Sequence, residues 1–236
     1  MDRLQQLRIA IHEGDGMALL AVLGGRVWAE VIQLAGDAVV QAVKHNVPGS
    51  AELAGGWIDA LRERDWAGDD ELAVDMEAAL GRRPEPALKK LAVDLEELSM
   101  LLEAGFGEDG GVIDLHTGEV WRASTIEYCR EEVDGEAPDF DDPDRCLYVG
   151  PEGSGEGYRD MEDFVASVTD AGRADRLAIA IEGRGAFRRF KDVISRWPDE
   201  QERWYRFSDE RCRGRARQWL TGAGYRTVPA PSEDAG

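Results

Sequence analysis

Val112-Ile113-Asp114-Leu115-His116-Thr117-Gly118-Glu119-Val120-Trp121 marks the point where this chain stops repeating its apolar residues at helical spacing. Two short β-prone runs, 112–115 and 119–121, flank a His-Thr-Gly turn, and Gly118 can take the positive φ that a tight hairpin asks of one residue. An antiparallel hairpin is expected here, opening a meander. Cys146-Leu147-Tyr148-Val149 supplies its third strand. Between the two, the stretch Glu131 to Asp144 holds eight acids and reads as a solvated loop.

On the N-terminal side the period is helical. Leu4, Leu7 and Ile11 recur at helix spacing, followed by Trp28, Val31, Ile32 and Ala35, then Val39, Val40 and Val43. Trp57 and Leu61 continue the pattern, and after Asp69-Asp70, two acids suited to a helix N-terminus, come Leu72, Met76 and Leu80. Glycine-rich turns at 14–16, 24–25 and 46–49 punctuate these segments. Gly81-Arg82-Arg83-Pro84-Glu85-Pro86 then ends the helical run, because two prolines in three residues cannot continue a helix. This makes 1–86 a helical domain. The second unit, 87–228, opens with Asp94 as cap of a helix through Leu95, Leu98, Leu101 and Leu102 that Gly105 would end.

Beyond Gly153-Ser154-Gly155-Glu156-Gly157 the helical period returns. Tyr158, Met161, Phe164, Val165 and Val168 share one face, and Leu177, Ala180 and Ile181 mark a second helix ending at Gly183 or Gly185. Phe187, Phe190, Ile194 and Trp197 form the clearest stripe, with Arg188, Arg189 and Arg196 opposite. Pro198 starts the next helix, with Asp199 and Glu200 complementing its dipole. That helix carries Trp204 and Phe207, is expected to break near Ser208, and resumes with Ala216, Trp219 and Leu220. Residues 229–236 read as a disordered tail. The fold class is therefore α+β: an N-terminal helical domain followed by a small antiparallel sheet packed with C-terminal helices.

Composition narrows the function. The 236 residues are 43% hydrophobic and carry a formal charge of −20, so the chain is acidic and suited to a soluble, globular life. The charge is uneven: residues 1–170 hold 14 cations against 38 acids, residues 171–227 hold 14 against 8. A strongly negative molecule repels phosphate at long range, which disfavours nucleic acid as a partner unless a basic face stands apart. The three cysteines share no metal-ligand spacing and form no disulfide framework, which fits a reducing compartment. No leader and no apolar run of membrane-spanning length is read, so a cytoplasmic location and no membrane partner are expected.

Four motifs in order resemble a known group. Ile113-Asp114-Leu115-His116-Thr117-Gly118-Glu119-Val120, then Tyr158-Arg159-Asp160-Met161-Glu162-Asp163-Phe164, then Gly183-Arg184-Gly185-Ala186-Phe187-Arg188-Arg189-Phe190-Lys191-Asp192, then Trp204-Tyr205-Arg206-Phe207 with Trp219-Leu220, look like the signature of the bacterial uncharacterised protein family 0158. The resemblance covers about residues 90–225 and leaves the first ~85 unmatched. It implies a fold unit and a bacterial origin. It brings no catalytic residues with it.

Chemistry is sparse. The glycines at 153–157 and 183–185 lack the third glycine and the strand–turn–helix setting of a dinucleotide loop, and His12, His45 and His116 lie in different elements, so neither cofactor nor metal site is expected. Asp160, Glu162 and Asp163 share a helix and read as a solvated face, with Mg²⁺ binding as the alternative. The remaining constellation mixes aromatics with cations: Tyr158, Arg159, Arg184, Arg188, Arg189, Lys191, Trp204, Arg206, Arg215 and Arg217 are the candidate binding residues. Helical phase sets the aromatics on one side and most arginines on the other, which fits a core-facing helix with ion pairs to the acidic half. An acidic-partner surface on Arg188, Arg189, Arg215 and Arg217 is the competing reading. The expected function is a non-enzymatic binding or regulatory module for another protein, gripped by the basic helices or by a cleft between the halves. A metal-dependent hydrolase or phosphoesterase, and a nucleic-acid binder using the basic helices, are the alternatives.

Overall fold

The computed structural model describes residues 1–103, 110–131, 138–153 and 155–229. Five helices come first: α1 (Arg3–His12), α2 (Gly16–Leu23), α3 (Ile32–Lys44), α4 (Ser50–Arg64) and α5 (Asp69–Ala79), with one turn of 3-10 helix at Ala29–Val31 before α3. Local chemistry sets their starts. The Asp2 carboxylate accepts from the Gln5 amide, and Asp15 accepts from the amides of Met17 and Ala18, each such cap being worth about 1 kcal/mol. Their apolar stripes meet in one core built around Leu7, Leu19, Ile32, Val39, Trp57 and Met76.

A short strand, β1 (Lys89–Leu91), follows the proline-bearing connection and pairs in parallel with β5 (Tyr225–Thr227). Neither strand is expected from the sequence, because three residues are too few to show a period. Asp94 caps α6 (Leu95–Leu102) by accepting from the Glu96 amide, in line with expectation. Gly105, its expected terminator, lies outside the described residues.

The hairpin forms where the period changes, as β2 (Gly111–Asp114) and β3 (Val120–Arg122). Gly118 takes φ 82°, and the buried Asp114 carboxylate ties the turn by accepting from the His116 amide at 2.8 Å and from Arg145 at 2.9 Å. His116 itself points outward, its side chain 71% exposed.

The meander is corrected. β4 (Cys146–Val149) pairs antiparallel with β2, not β3, giving the order β3-β2-β4. A helix without sequence forewarning, α7 (Ala123–Glu131), carries the chain off β3, so the next strand returns to the free edge of β2. Ile126 is its one side chain in an apolar cluster, too little to make a stripe. Residues 132–137 of the expected acidic loop lie outside the described residues, as does the tail from 230.

Four helices complete the chain: α8 (Gly155–Ala166), α9 (Ala171–Ile181), α10 (Ala186–Ile194) and α11 (Pro198–Gly222). Phe164, Phe190 and Trp204 stack edge-on at centroid distances of 4.8–6.2 Å, the centre of a core that the 158–197 stripes predicted. The expected break near Ser208 is absent, since α11 runs unbroken for 25 residues. Its apolar stripe lapses there because Glu210, Arg213 and Arg217, spaced three and four apart, fill buried positions that a hydrophobic reading skips. No helix among the described residues is long and apolar enough to cross a membrane.

Candidate functional site

The two places that gather the predicted site residues are α11 and the α9–α10 hairpin, and they treat arginine in opposite ways. On α11 every arginine is partnered. Arg217, 2% exposed, makes a two-pronged pair with Asp37 of α3 at 2.8 and 2.9 Å and donates to Gln33 Oε1 at 2.9 Å. Arg213 lies buried between Glu96 of α6 and Asp209, the latter at 3.1 Å. Arg206 meets Glu30 at 3.3 Å, and Arg203 holds Glu200 at 2.9 Å. These contacts consume the charge that an external partner would need.

Glu210, which sequence reasoning missed, occupies the same buried face. Its carboxylate accepts from the Gln33 and Leu34 amides at 2.9 and 3.1 Å and faces Arg64 Nη1 at 3.2 Å. Burial pushes its pKa up to about 7, against the pull of Arg64 and the two amides. The findable signal was a set of charged residues at 206, 210, 213 and 217, which share one side of a helix.

Asp160 corrects the solvated-face reading. It is 1% exposed on α8 and clamped by Arg211 Nε at 2.7 Å and Arg215 Nη1 at 2.9 Å, while Asp163 stays outward and reaches Arg211 at 3.0 Å. Burial raises the Asp160 pKa, with Arg215 and Arg211 opposing. Ligand atoms of Glu103, Asp160 and Cys212 come within 4.8 Å of one another, close enough to hold a cation. The position is already held by one: Arg215 touches all three, including the Cys212 sulphur at 3.4 Å. Burial and Glu103 push the Cys212 thiol well up, and it donates to Glu103 Oε1 at 2.8 Å, so it is a poor nucleophile toward an electrophile.

The α9–α10 hairpin is different. Arg189 is spent locally, its guanidinium donating to carbonyl oxygens of Ala180 (3.0 Å), Glu182, Gly183 (3.4 Å) and Arg184, which closes the C-terminus of α9. Tyr158 donates to the Ile181 carbonyl at 3.1 Å, and Arg159 pairs with Glu156 on its own helix. Trp204 is buried in the aromatic core. That leaves Arg184, Arg188 and Lys191 exposed without an ion pair among the described residues, together with Arg176 and Arg196. Ile179, 67% exposed, and Phe187, 39% exposed, stand on either side of the turn. Residues 171–197 carry seven cations against three acids.

A cleft of about 270 Å³ does open between the halves, lined by Leu4, Arg8, Leu34, Tyr205, Arg206 and Asp209 among others. It falls below the ~300–1,000 Å³ of ordinary ligand pockets. Its charges also answer each other, Arg8 to Asp209 at 3.8 Å and Arg206 to Glu30 at 3.3 Å.

A helical α+β protein with an arginine-stitched central helix and an exposed basic hairpin is the class these features define. The chain belongs to the Uncharacterised protein family (UPF0158), whose family model matches residues 91–233. A Pseudomonas aeruginosa protein described as a UPF0158 protein is 29% identical over 140 residues, 56% of this chain and 84% of that protein. No solved structure matches the chain. The match begins in β1 and takes in the sheet, the basic hairpin and α11, while α1–α5 precede it.

Proposed function

We propose that this chain is a non-enzymatic binding module that takes an acidic segment of another protein on the exposed face of the α9–α10 hairpin. The observation that carries the reading is the sorting of cations. All six arginines of α11 between 203 and 217 face internal carboxylates, whereas Arg176, Arg184, Arg188, Lys191 and Arg196 have no ion pair among the described residues of a chain with a surplus of 20 negative charges. Unpaired cations in so acidic a molecule are not needed to hold the fold. Ile179 and Phe187 add apolar contact area beside them, which suits an acidic peptide with apolar side chains better than a phosphate backbone. The three cysteines are free, which supports a reducing compartment such as the cytoplasm, and the Pseudomonas relative supports a bacterial one.

The test is a crosslinking pulldown comparing the native chain with Arg188→Glu/Lys191→Glu, with proteins and nucleic acids both identified. A protein partner recovered by the native chain, and lost on charge reversal, is the expected result. Recovery of nucleic acid alone, or a recovered set indifferent to the reversal, would overturn the reading.

A further inference from the structure

The contact between α11 and the N-terminal helices is built like a meeting of two proteins. The apolar core of the first helices draws only on residues 4–80, and the three other apolar clusters draw only on residues 91–225. Apart from the Trp66–Phe207 ring contact, what joins them is mostly polar, including the buried Arg226–Asp75 pair at 3.2 Å between β5 and α5. Glu210, Arg217 and Arg206 reach across from α11, while Gln33, Asp37, Arg64 and Asp69 answer from the other side; Gln33 Nε2 and Arg64 Nη2 donate to Asp69 Oδ1 at 2.9 and 2.7 Å. Charged, hydrogen-bonded contact of this kind is typical of surfaces that come together after each has its own core.

The geometry at α3 sharpens this. Val31, which precedes the helix, offers no side-chain cap. Glu210 supplies it from α11, accepting from the second and third amides of α3, the two that an N-cap side chain ordinarily satisfies. One turn along, Asp37 takes the guanidinium of Arg217. The backbones also come into direct contact: a Cβ on Gly214 would lie 2.1 Å from the Ala67 carbonyl oxygen, and one on Gly68 would lie 2.2 Å from that of Gly214. Trp66 meets Phe207 edge-on beside this point, at 5.2 Å. The family model spans 91–233 and includes α11 but none of these helices.

We infer that the face of α11 bearing Arg206, Glu210, Gly214 and Arg217 is a protein-docking surface whose occupant in this chain is its own N-terminal helical unit, tethered through residues 80–88. Glu210 recognises the bare first turn of a helix, and Arg217 recognises a carboxylate one turn further on. The N-terminal unit fills this surface in cis, and any rival occupant must present the same pair of features.

The tether makes the inference testable on the full chain. A protease recognition sequence inserted between the exposed Arg82 and Arg83 allows the connection to be cut after folding. Asp37→Lys then places a like charge against Arg217 without entering either apolar core. The cut native chain should elute as one 1:1 particle of intact mass. The cut Asp37→Lys chain should part into two fragments, each retaining helical circular dichroism and a cooperative melt, with association weakened at least about thirtyfold. Fragments that lose their helix or aggregate on parting would show a shared core and overturn the inference. A cut variant that stays whole would overturn it too, since the contact would then not depend on this recognition.

Discussion

Arg217 and Arg188 show how little a residue type says about its role. Both are arginines on C-terminal helices, yet one is buried against Asp37 and Gln33 and the other stands in solvent. Arg217→Met should therefore cost about 3–5 kcal/mol by leaving a carboxylate unanswered, whereas Arg188→Ala should stay within about 0.5 kcal/mol. Denaturant midpoints of the two variants decide this, and equal midpoints would refute the sorting. Glu210 makes a prediction about pH. Burial raises its pKa from 4.5 to about 7, so between these values the folded chain keeps a proton that the unfolded chain releases. Its contribution to stability is complete below about 4.5 and fades as pH climbs through 7. The melting temperature of the native chain should thus fall more steeply from about pH 5 to about pH 8 than that of Glu210→Gln. Asp75 and Asp160, also raised by burial, act in both proteins alike and drop out of the comparison. Parallel slopes would show that Glu210 stays ionised throughout.

At the level of the elements, α11 depends on an absence of side chain as much as on its charges. Gly214 lies in mid-helix, where glycine weakens a helix relative to alanine by about 1 kcal/mol. Gly214→Ala should nonetheless destabilise the protein, by about 1–3 kcal/mol, because the new methyl would meet the Ala67 carbonyl. Denaturant melts should show a lower midpoint with helical content unchanged, and a gain in stability would mean that α11 moves away freely. The same helix marks the limit of what the sequence discloses. Where apolar residues set the period, as in the Phe187–Ile194 stripe or the hairpin around Gly118, element and partner face were both legible. Where buried positions carry Glu210, Arg213 and Arg217, the stripe vanishes and a continuous helix reads as two. β1, β5 and α7 escaped for a simpler reason: each contributes too few apolar side chains to form any period. Of the candidate site, the cations of α10 could be found from phase alone. Arg215 and Arg217 could not be told from them, since their acids, Asp160 and Asp37, come from distant parts of the chain.

The whole molecule carries its negative surplus mostly ahead of residue 171, so its surface repels itself while the paired charges of α11 lie sheltered inside. Salt separates the two contributions. Buried pairs are screened little, whereas surface repulsion fades once the Debye length shortens from about 20 Å to about 6 Å, between roughly 20 mM and roughly 300 mM salt. Thermal stability of the native chain should therefore rise over this range. Arg188→Glu/Lys191→Glu takes the net charge to −24 and removes positive charge from a face where it stands without an ion pair among the described residues. This variant should melt below the native chain at low salt and converge with it at high salt, because nothing but long-range repulsion distinguishes their folds. Convergence would mean that a partner lost on charge reversal was lost through the surface and not through unfolding. A melting gap that persists at high salt would instead mean that Arg188 and Lys191 make direct stabilising contacts, and the α9–α10 face would then not be free to bind.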